Sequence, residues 1–524
     1  MAECPAWLRD SVFYEIYPQS FYDSNGDGIG DLNGIAAKLD YIESLGCNAI
    51  WINPCFTSPF MDAGYDVSDY MTVAPRYGTN DDLKKLFREA RKRNIRICLD
   101  LVPGHTSIEH PWFKESCRAA KNRYTNRYIW TDSVWKRPEG MECVRGYAER
   151  DGSFITNFFW SQPALNYGFA KPDPEQPWQL PYEHPDCRAT REDMKGVIKH
   201  WLDMGAAGFR VDMAFSLVKG DKDLTYTRKL WDDVREMLDR EHPEAILISE
   251  WGRPAHAVRC GFHVDFMLHF GPPGYNSLFR DDPCFFSKKG GGDISIFLEE
   301  YLASYRSTRG KGYVAIPSGN HDMDRLARHR TKRELKVAYT FLLSMPGIPF
   351  IYYGDEIGMD YIEGLPSKEG GYHRTGARTP MQWTRGRNAG FSNSSPDQLY
   401  LPVDRRKSRP TVEDQDAKQG SLLNTIRRLV ALRRQHPALA GDGTFKPLYA
   451  EQGQYPFAFL RQSGHDQVLV AVNPAGQPVS VTCSLPRART TADRLFSLGA
   501  DLAVAGKKAT LDMKGVSSGI WKLG

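Results

Sequence analysis

Three carboxylates and two imidazoles stand at the ends of short apolar runs in this 524-residue chain. In the run 208–212, Gly-Phe-Arg-Val-Asp, a strand places Arg210 and Asp212 on one face and Phe209 and Val211 on the other. A guanidinium a few Å away favours an ionised carboxylate, so Asp212 reads as an anion held ready for reaction. For this motif alone, the alternative is a structural ion pair at a strand end. A second run ends in Glu250, a third leads into Asn320-His321-Asp322, and a fourth passes from Asp100 to His105. One such residue has an ordinary structural explanation; several strand ends supplying partners to one another do not. Two carboxyl groups facing across a neutral substrate are what glycoside hydrolysis needs. Asp212 would be the group kept anionic. Glu250, followed by Trp251, would be the one whose pKa apolar surroundings raise until it keeps its proton.

The elements that must position these groups follow a regular beat. The runs 12–17, 48–53, 95–102, 208–212, 245–250, 263–270, 313–319 and 348–353 read as strands, and helical periods such as 81–93, 194–202 and 227–240 lie between them. Eight strands alternating with helices imply an α/β fold of parallel βαβ units, closed as a (β/α)8 TIM barrel with no free edges. The beat breaks twice. About a hundred residues separate the third and fourth strands, where roughly 20–30 would suffice, so an inserted domain is expected over 104–175. After the eighth strand, a stretch rich in Gly, Arg, Asn and Ser runs from 354 to about 421 and reads as an active-site loop. The helical period at 422–435 closes the barrel, which occupies 1–103 and 176–441. Short alternating strands without helices then imply a C-terminal antiparallel β-domain over 442–524.

Charged residues at 25%, hydrophobic residues at 41% and a net charge of +4 describe a soluble globular chain with no electrostatic footprint for nucleic acid or anionic membrane. A small neutral partner is expected, and aromatics at 12% suit the apolar faces of sugar rings. The start has no basic-then-apolar leader, and no apolar run reaches the roughly 20 residues of a membrane span. Ten dispersed cysteines without a CxxC read as buried free thiols of a reducing compartment, so the protein is expected to be cytoplasmic. Oligomeric state is not encoded legibly.

The ordered motifs DLVPGH (100–105), GFRVD (208–212), ISEW (248–251) and SGNHD (318–322), with ARTPMQW (377–383) and NAGF (388–391), resemble the α-amylase superfamily of glycoside hydrolases. The likeness covers essentially the whole chain. It is to the branch containing oligo-1,6-glucosidase, α-glucosidase, trehalose synthase and sucrose isomerases. It implies Asp212 as nucleophile, Glu250 as general acid/base and Asp322 as transition-state stabiliser. His105 and His321 would bond the sugar, Arg210 would orient the nucleophile, Tyr65 would stack on the sugar, and Asp62 paired with Arg378 would close the pocket beyond a terminal glucose. The resemblance therefore implies a retaining exo-acting α-glucosidase working through a covalent glucosyl-enzyme, with carboxyl groups about 5–5.5 Å apart. A transglycosylase or isomerase with the same first step, and a non-catalytic binding homologue, are the alternatives.

In the stretch 23–31, Asp-Ser-Asn-Gly-Asp-Gly-Ile-Gly-Asp, oxygen side chains alternate with glycines as in a calcium loop, but Gly34 stands where an EF-hand needs its glutamate. The resemblance implies a structural Ca²⁺ held by Asp23, Asn25, Asp27, the Ile29 carbonyl and Asp31; Mg²⁺ or a metal-free turn are the other readings. Gly104 stands where the family carries an asparagine, Ala164 where the branch carries an aspartate, and Met213 where relatives carry a smaller or β-branched residue. An extra proline-rich loop spans 168–183. These departures leave the preferred linkage open.

Overall fold

The computed structural model describes residues 3–524. Eight parallel strands close a barrel: β1 (Phe13–Ile16), β2 (Ala49–Ile52), β3 (Arg96–Leu101), β4 (Gly208–Val211), β5 (Ile246–Ser249), β6 (Val264–Phe266), β7 (Tyr313–Pro317) and β8 (Ile348–Tyr352). Each pairs with its sequence neighbours, and β8 pairs with β1 through Phe13 and Phe350. The strands are near-continuous apolar runs because helices cover their outer faces while side chains fill the inside. Glu15 in β1, Asp100 in β3, Arg210 in β4 and Asp265 in β6 are buried charged exceptions.

Helix α1 (Asn80–Lys92) shows why the crossovers form. Thr79 and Asp82 make a reciprocal capping box, and Leu83, Leu86, Phe87 and Ala90 recur at helical spacing on the buried face. Helix α2 (Pro185–Met204) starts two turns before the expected 194–202, because a first turn opened by Pro185 and a polar stretch hides its period; it stops at Gly205, whose φ is +125°. Gly208 opens β4 at φ +146°, where a Cβ would come within 2.2 Å of the Ile246 carbonyl oxygen, so only glycine lets β4 lie against β5 there.

The insertion carries a helix (Pro111–Ser116), a hairpin (Cys143–Arg145 with Ser153–Ile155) and a small core of Ile129, Ile155, Ala164, Phe169 and Trp178. Trp178 ties the proline-rich loop into that core, so the expected boundary at 175/176 cuts a packed unit and the chain returns to the barrel at Pro185. The same core explains Ala164: a carboxylate there would be buried among apolar side chains. The C-terminal unit is a five-stranded antiparallel sheet that opens with Thr444–Tyr449, a strand missing from the sequence reading. Among the described residues, no helix is long and apolar enough to cross a membrane.

Candidate active site

Strand register assembles the centre. β3 and β4 pair with Asp100 opposite Arg210, and β4 and β5 with Val211 opposite Ser249, so Asp212 and Glu250 emerge side by side where the strands end. Their N–H groups still donate into the sheet, Asp212 to the Leu101 carbonyl at 2.8 Å and Glu250 to the Val211 carbonyl at 3.0 Å. Arg210 serves more than the nucleophile position expected of it. Its Nη1 donates to Asp100 Oδ1 at 2.9 Å and Asp212 Oδ1 at 3.0 Å, and its Nη2 lies 2.5 Å from Glu250 Oε1. Burial raises Asp212 to about 7 against the pull of Arg210. Burial raises Glu250 to about 8, with Asp212 and Asp322 adding to the push. With one guanidinium shared among three carboxyl groups, burial works against ionising both members of the pair, and it raises both carboxyls together. The Met213 N–H donates to Glu250 Oε2 at 3.0 Å from a backbone at φ +42°. That left-handed geometry costs a residue with a Cβ about 1–2 kcal/mol, so Glu250 is oriented by a strained residue directly after Asp212.

Asp322 faces this pair from the turn that follows β7. Its Oδ1 accepts from Arg374 Nη1 at 2.8 Å and Arg378 Nη2 at 2.9 Å. Burial alone would raise its pKa; His321 and the two guanidiniums overcome that and hold the carboxyl well below the usual range. Burial keeps His321 itself neutral, which leaves the arginines as the cations that do this near neutral pH. The arginine that pairs with Asp62 is Arg374, not Arg378. Arg374 Nη2 lies 3.4 Å from Asp62 Oδ1, and Asp62 Oδ2 accepts from Gln162 at 2.8 Å. Burial raises Asp62 to about 6 despite Arg374. Arg378, 1% exposed, instead donates to the His321 carbonyl at 2.8 Å. The two arginines bracket the end of a 3₁₀ segment, Tyr372–Ala377, which sends one to the cavity and the other behind it.

The histidines also divide. His321 is fully buried, with Nδ1 2.8 Å from Glu15 Oε1 and Nε2 2.7 Å from the Tyr65 hydroxyl and 3.3 Å from Asp322 Oδ2, so it stands directly behind two groups that line the cavity. Tyr65 does line the cavity and also donates to Asp100 Oδ2 at 3.0 Å. His105 lines the cavity too, with Nε2 3.0 Å from the Tyr65 carbonyl. Burial lowers it to about 4.

Asn157 is a residue the sequence reading missed. Its Nδ2 lies 3.1 Å from His105 Nδ1, its Oδ1 accepts from Lys219 Nζ at 3.2 Å, and a Cβ on Gly104 would fall 2.5 Å from that amide nitrogen. An amide from the insertion therefore fills the space beside Gly104, which selects the His105 tautomer with its proton on Nε2. Replacing Asn157 by alanine leaves the His105 acceptor unpaired, and kcat/KM is expected to fall about tenfold. Adding Gly104→Asn to that variant restores an amide and much of the loss, whereas Gly104→Asn alone clashes with Asn157 and lowers activity. Steady-state kinetics of the three variants checks this.

The groups surround a cavity of about 480 Å³. Its buried lining is Asp62, Tyr65, His105, Asp212 and Glu250, with Asp322 and Arg374 beside them; the exposed aromatics Phe158, Phe215, Phe270 and Tyr372 form its mouth, and Phe159, Met213, His269 and His373 complete the wall.

The loop 23–31 lies outside this cavity and is closed on itself. Asp23 accepts from the N–H of Asn25, Gly26 and Gly28 and from Ser392 Oγ at 2.5 Å; Asn25 Oδ1 accepts from the Asp27 N–H, Asp27 Oδ1 from the Ile29 N–H, and Asp31 from Ser24 and Gly34. Among the described residues, no three acidic, histidine or cysteine groups converge to hold a metal. The donor set is all oxygen, which suits a hard cation, but these oxygens already accept hydrogen bonds. A cation fits only if several of those bonds open. As it stands, the loop staples the start of the chain to the post-β8 segment, through the Asp23 N–H to the Phe391 carbonyl at 3.0 Å and the Tyr400 N–H to the Gly28 carbonyl at 2.9 Å.

Comparison with known proteins gives the same frame. The chain is 34% identical over 495 residues to the trehalose synthase/amylase TreS of Mycolicibacterium smegmatis, covering 84% of this chain and 78% of that protein. It is 31% identical over 534 residues to the oligo-1,6-glucosidase of Parageobacillus thermoglucosidasius, covering 89% and 90%. Among solved structures, the trehalulose synthase MutB from Pseudomonas mesoacidophila superposes with a TM-score of 0.83 at 25% identity over 99% of each chain. A mutant isomaltulose synthase of Erwinia rhapontici, bound to its natural substrate sucrose, superposes with a TM-score of 0.81 at 25% identity over 99% of each. The model of the alpha-amylase catalytic domain matches residues 15–442, which span the barrel, the insertion and every group of the centre, and the chain belongs to the alpha-amylase family of glycosidases.

Proposed function

We propose that the protein is a retaining, exo-acting α-glucosidase that removes terminal glucose from short oligosaccharides or small α-glucosides. One observation carries this reading: Asp212 and Glu250 leave adjacent strands side by side on one guanidinium, in a cavity whose inner end Asp62 and Arg374 close. Asp212 attacks the anomeric carbon as the glycosidic bond breaks, and Glu250 passes its proton to the leaving oxygen. Water then returns a proton to Glu250 and its oxygen displaces Asp212 from the sugar. Adjacent strands lie about 4.8 Å apart, which supports the short carboxyl separation of a retaining site. Incubation with maltose, isomaltose, trehalose and sucrose tests this by NMR of the first product. Free α-glucose is expected; β-glucose appearing first would overturn retention.

The second reading is a glucosyl transferase or isomerase, in which a sugar rather than water resolves the glucosyl-enzyme. The aromatic mouth, which can hold an acceptor while limiting water, and the relatives named as trehalose, trehalulose and isomaltulose synthases favour it. In the same panel, a rearranged disaccharide exceeding free glucose would establish it.

A structural Ca²⁺ on Asp23, Asn25, Asp27, the Ile29 carbonyl and Asp31 is part of the proposal, with Mg²⁺ as its alternative. Its support is the alternating set of oxygen side chains on one nine-residue loop. EDTA is expected to lower the thermal midpoint by several degrees, with excess Ca²⁺ restoring it; an unchanged midpoint counts against the metal. The ten unpaired cysteines support a cytoplasmic location.

A further inference from the structure

The mouth of the cavity differs chemically from its inner end. The inner groups are polar and nearly closed off: Asp62 is 3% exposed, His105 1%, Asp212 7% and Glu250 6%. The mouth groups are large, apolar and open: Phe158 is 52% exposed, Phe215 39%, Phe270 38% and Tyr372 60%. Exposed aromatics scattered singly are ordinary, but four converging on one cavity form a patch that a soluble protein keeps for a ligand. Two of the elements involved come from opposite sides. Phe158 and Phe159 lie on the insertion, with ring centroids 4.5 Å apart, and Phe159 packs 5.8 Å from Tyr372 of the post-β8 segment.

The insertion's aromatic pair is not on a loose loop. Asn157, directly before it, is tied to His105 and Lys219, and the Phe159 N–H donates to Gln162 Oε1 at 2.7 Å. The aromatic faces are therefore held over the cavity in advance of binding, which lowers the cost of seating a flat ligand. Besides the buried inner groups, the polar lining side chains are His269, His373, the Tyr372 hydroxyl and the Asp322–Arg374 pair, whose groups already bond each other at 2.8 Å, and no amide or ammonium lines the cavity. A second sugar ring presents several hydroxyls that need such partners, whereas a flat apolar group needs none.

We propose that the group leaving from the glucosyl unit is an apolar, aromatic-sized aglycone, so that this site prefers aryl-alkyl α-glucosides to disaccharides. The inference rests on the glucose-binding reading of the inner site and names what sits beyond it. Benzyl α-glucoside, methyl α-glucoside and maltose are the informative substrates, because all three release an alkyl alcohol and leaving-group acidity does not dominate the comparison. The kcat/KM for benzyl α-glucoside is expected to exceed those for the other two by about tenfold or more, from burial of one aromatic ring. Phe158→Ala and Tyr372→Ala are each expected to shrink the benzyl-to-methyl ratio severalfold. A binding measurement that needs no turnover accompanies it: in calorimetry, benzyl 1-thio-α-glucoside should bind about tenfold more tightly than methyl 1-thio-α-glucoside. Equal affinities for the two thioglucosides, with maltose still cleaved, overturn the aglycone inference and leave the glucosidase reading intact. Binding of neither thioglucoside overturns both.

Discussion

Replacing Asp212 by asparagine lowers kcat by on the order of 10⁴-fold or more while the protein stays folded. The expectation is large because nothing else in the cavity can take over. Asp100 is fully enclosed behind Tyr65 and Arg210, Asp322 is held by two arginines, and burial raises the Glu250 carboxyl to about 8. The fold should tolerate the change. Asparagine keeps the shape and an acceptor for Arg210, whose charge remains balanced by Asp100, and the Asp212 N–H bond to Leu101 involves only backbone. The measurement is turnover on a short α-glucoside beside the thermal midpoint. Residual activity above about one per cent of wild type, in a variant with an unchanged midpoint, would remove Asp212 from the nucleophile's role.

The second large effect is on Glu250 and has a pH signature. Glu250 must be protonated to act as an acid, and its pKa is raised to about 8, so the wild-type rate is expected to fall as pH rises through about 8. Asp212 must be ionised, and with its pKa raised to about 7 the rate falls again as pH drops below that value. Because the two share Arg210, the limbs belong to the pair rather than to single residues, and the profile is a narrow bell. Glu250→Gln cannot donate a proton: kcat on an alkyl α-glucoside should drop by on the order of 10³-fold and the basic limb should vanish. An aryl glucoside with an acidic leaving group should suffer far less in the first step. Stability moves the other way. A carboxyl whose folded pKa is raised favours the fold below its ordinary value of 4.5, and that contribution is lost as pH rises through about 8. Glutamine mimics the neutral form at every pH, so the variant's thermal midpoint should exceed that of wild type at pH 8 and above and converge with it toward pH 4. A variant with full activity, or with a basic limb identical to wild type, would exclude Glu250 as the acid.

Much of this was legible from local pattern. The eight strands appear within a residue or two of the apolar runs, apart from β6, which stops at Phe266 rather than 270. A strand buried on both faces must be apolar along its length, whatever surrounds it. Helix α2 was half hidden because its first turns are polar, and the end of the insertion was misplaced because Phe169 and Trp178 reach across space to Ile129 and Ile155. No periodicity records that contact. The strand that begins at Thr444 follows a short Gly-Asp-Gly turn and carries Lys446 and Pro447, which mask its alternation.

By itself the sequence determined that Asp212 and Glu250 meet on one rim with Arg210 behind them, because residues at the ends of parallel strands have their direction set by alternation and register; for Asp322, in the turn after β7, it gave the rim but not the direction. Only the tertiary structure decided the residues that reach the centre from irregular backbone. Arg374 rather than Arg378 faces Asp62, His321 reaches from Glu15 to the backs of Tyr65 and Asp322, and Asn157 occupies the space beside Gly104. In loops and 3₁₀ turns no fixed period links position to direction, so which side chain arrives is set by the packing of segments that lie far apart in the chain.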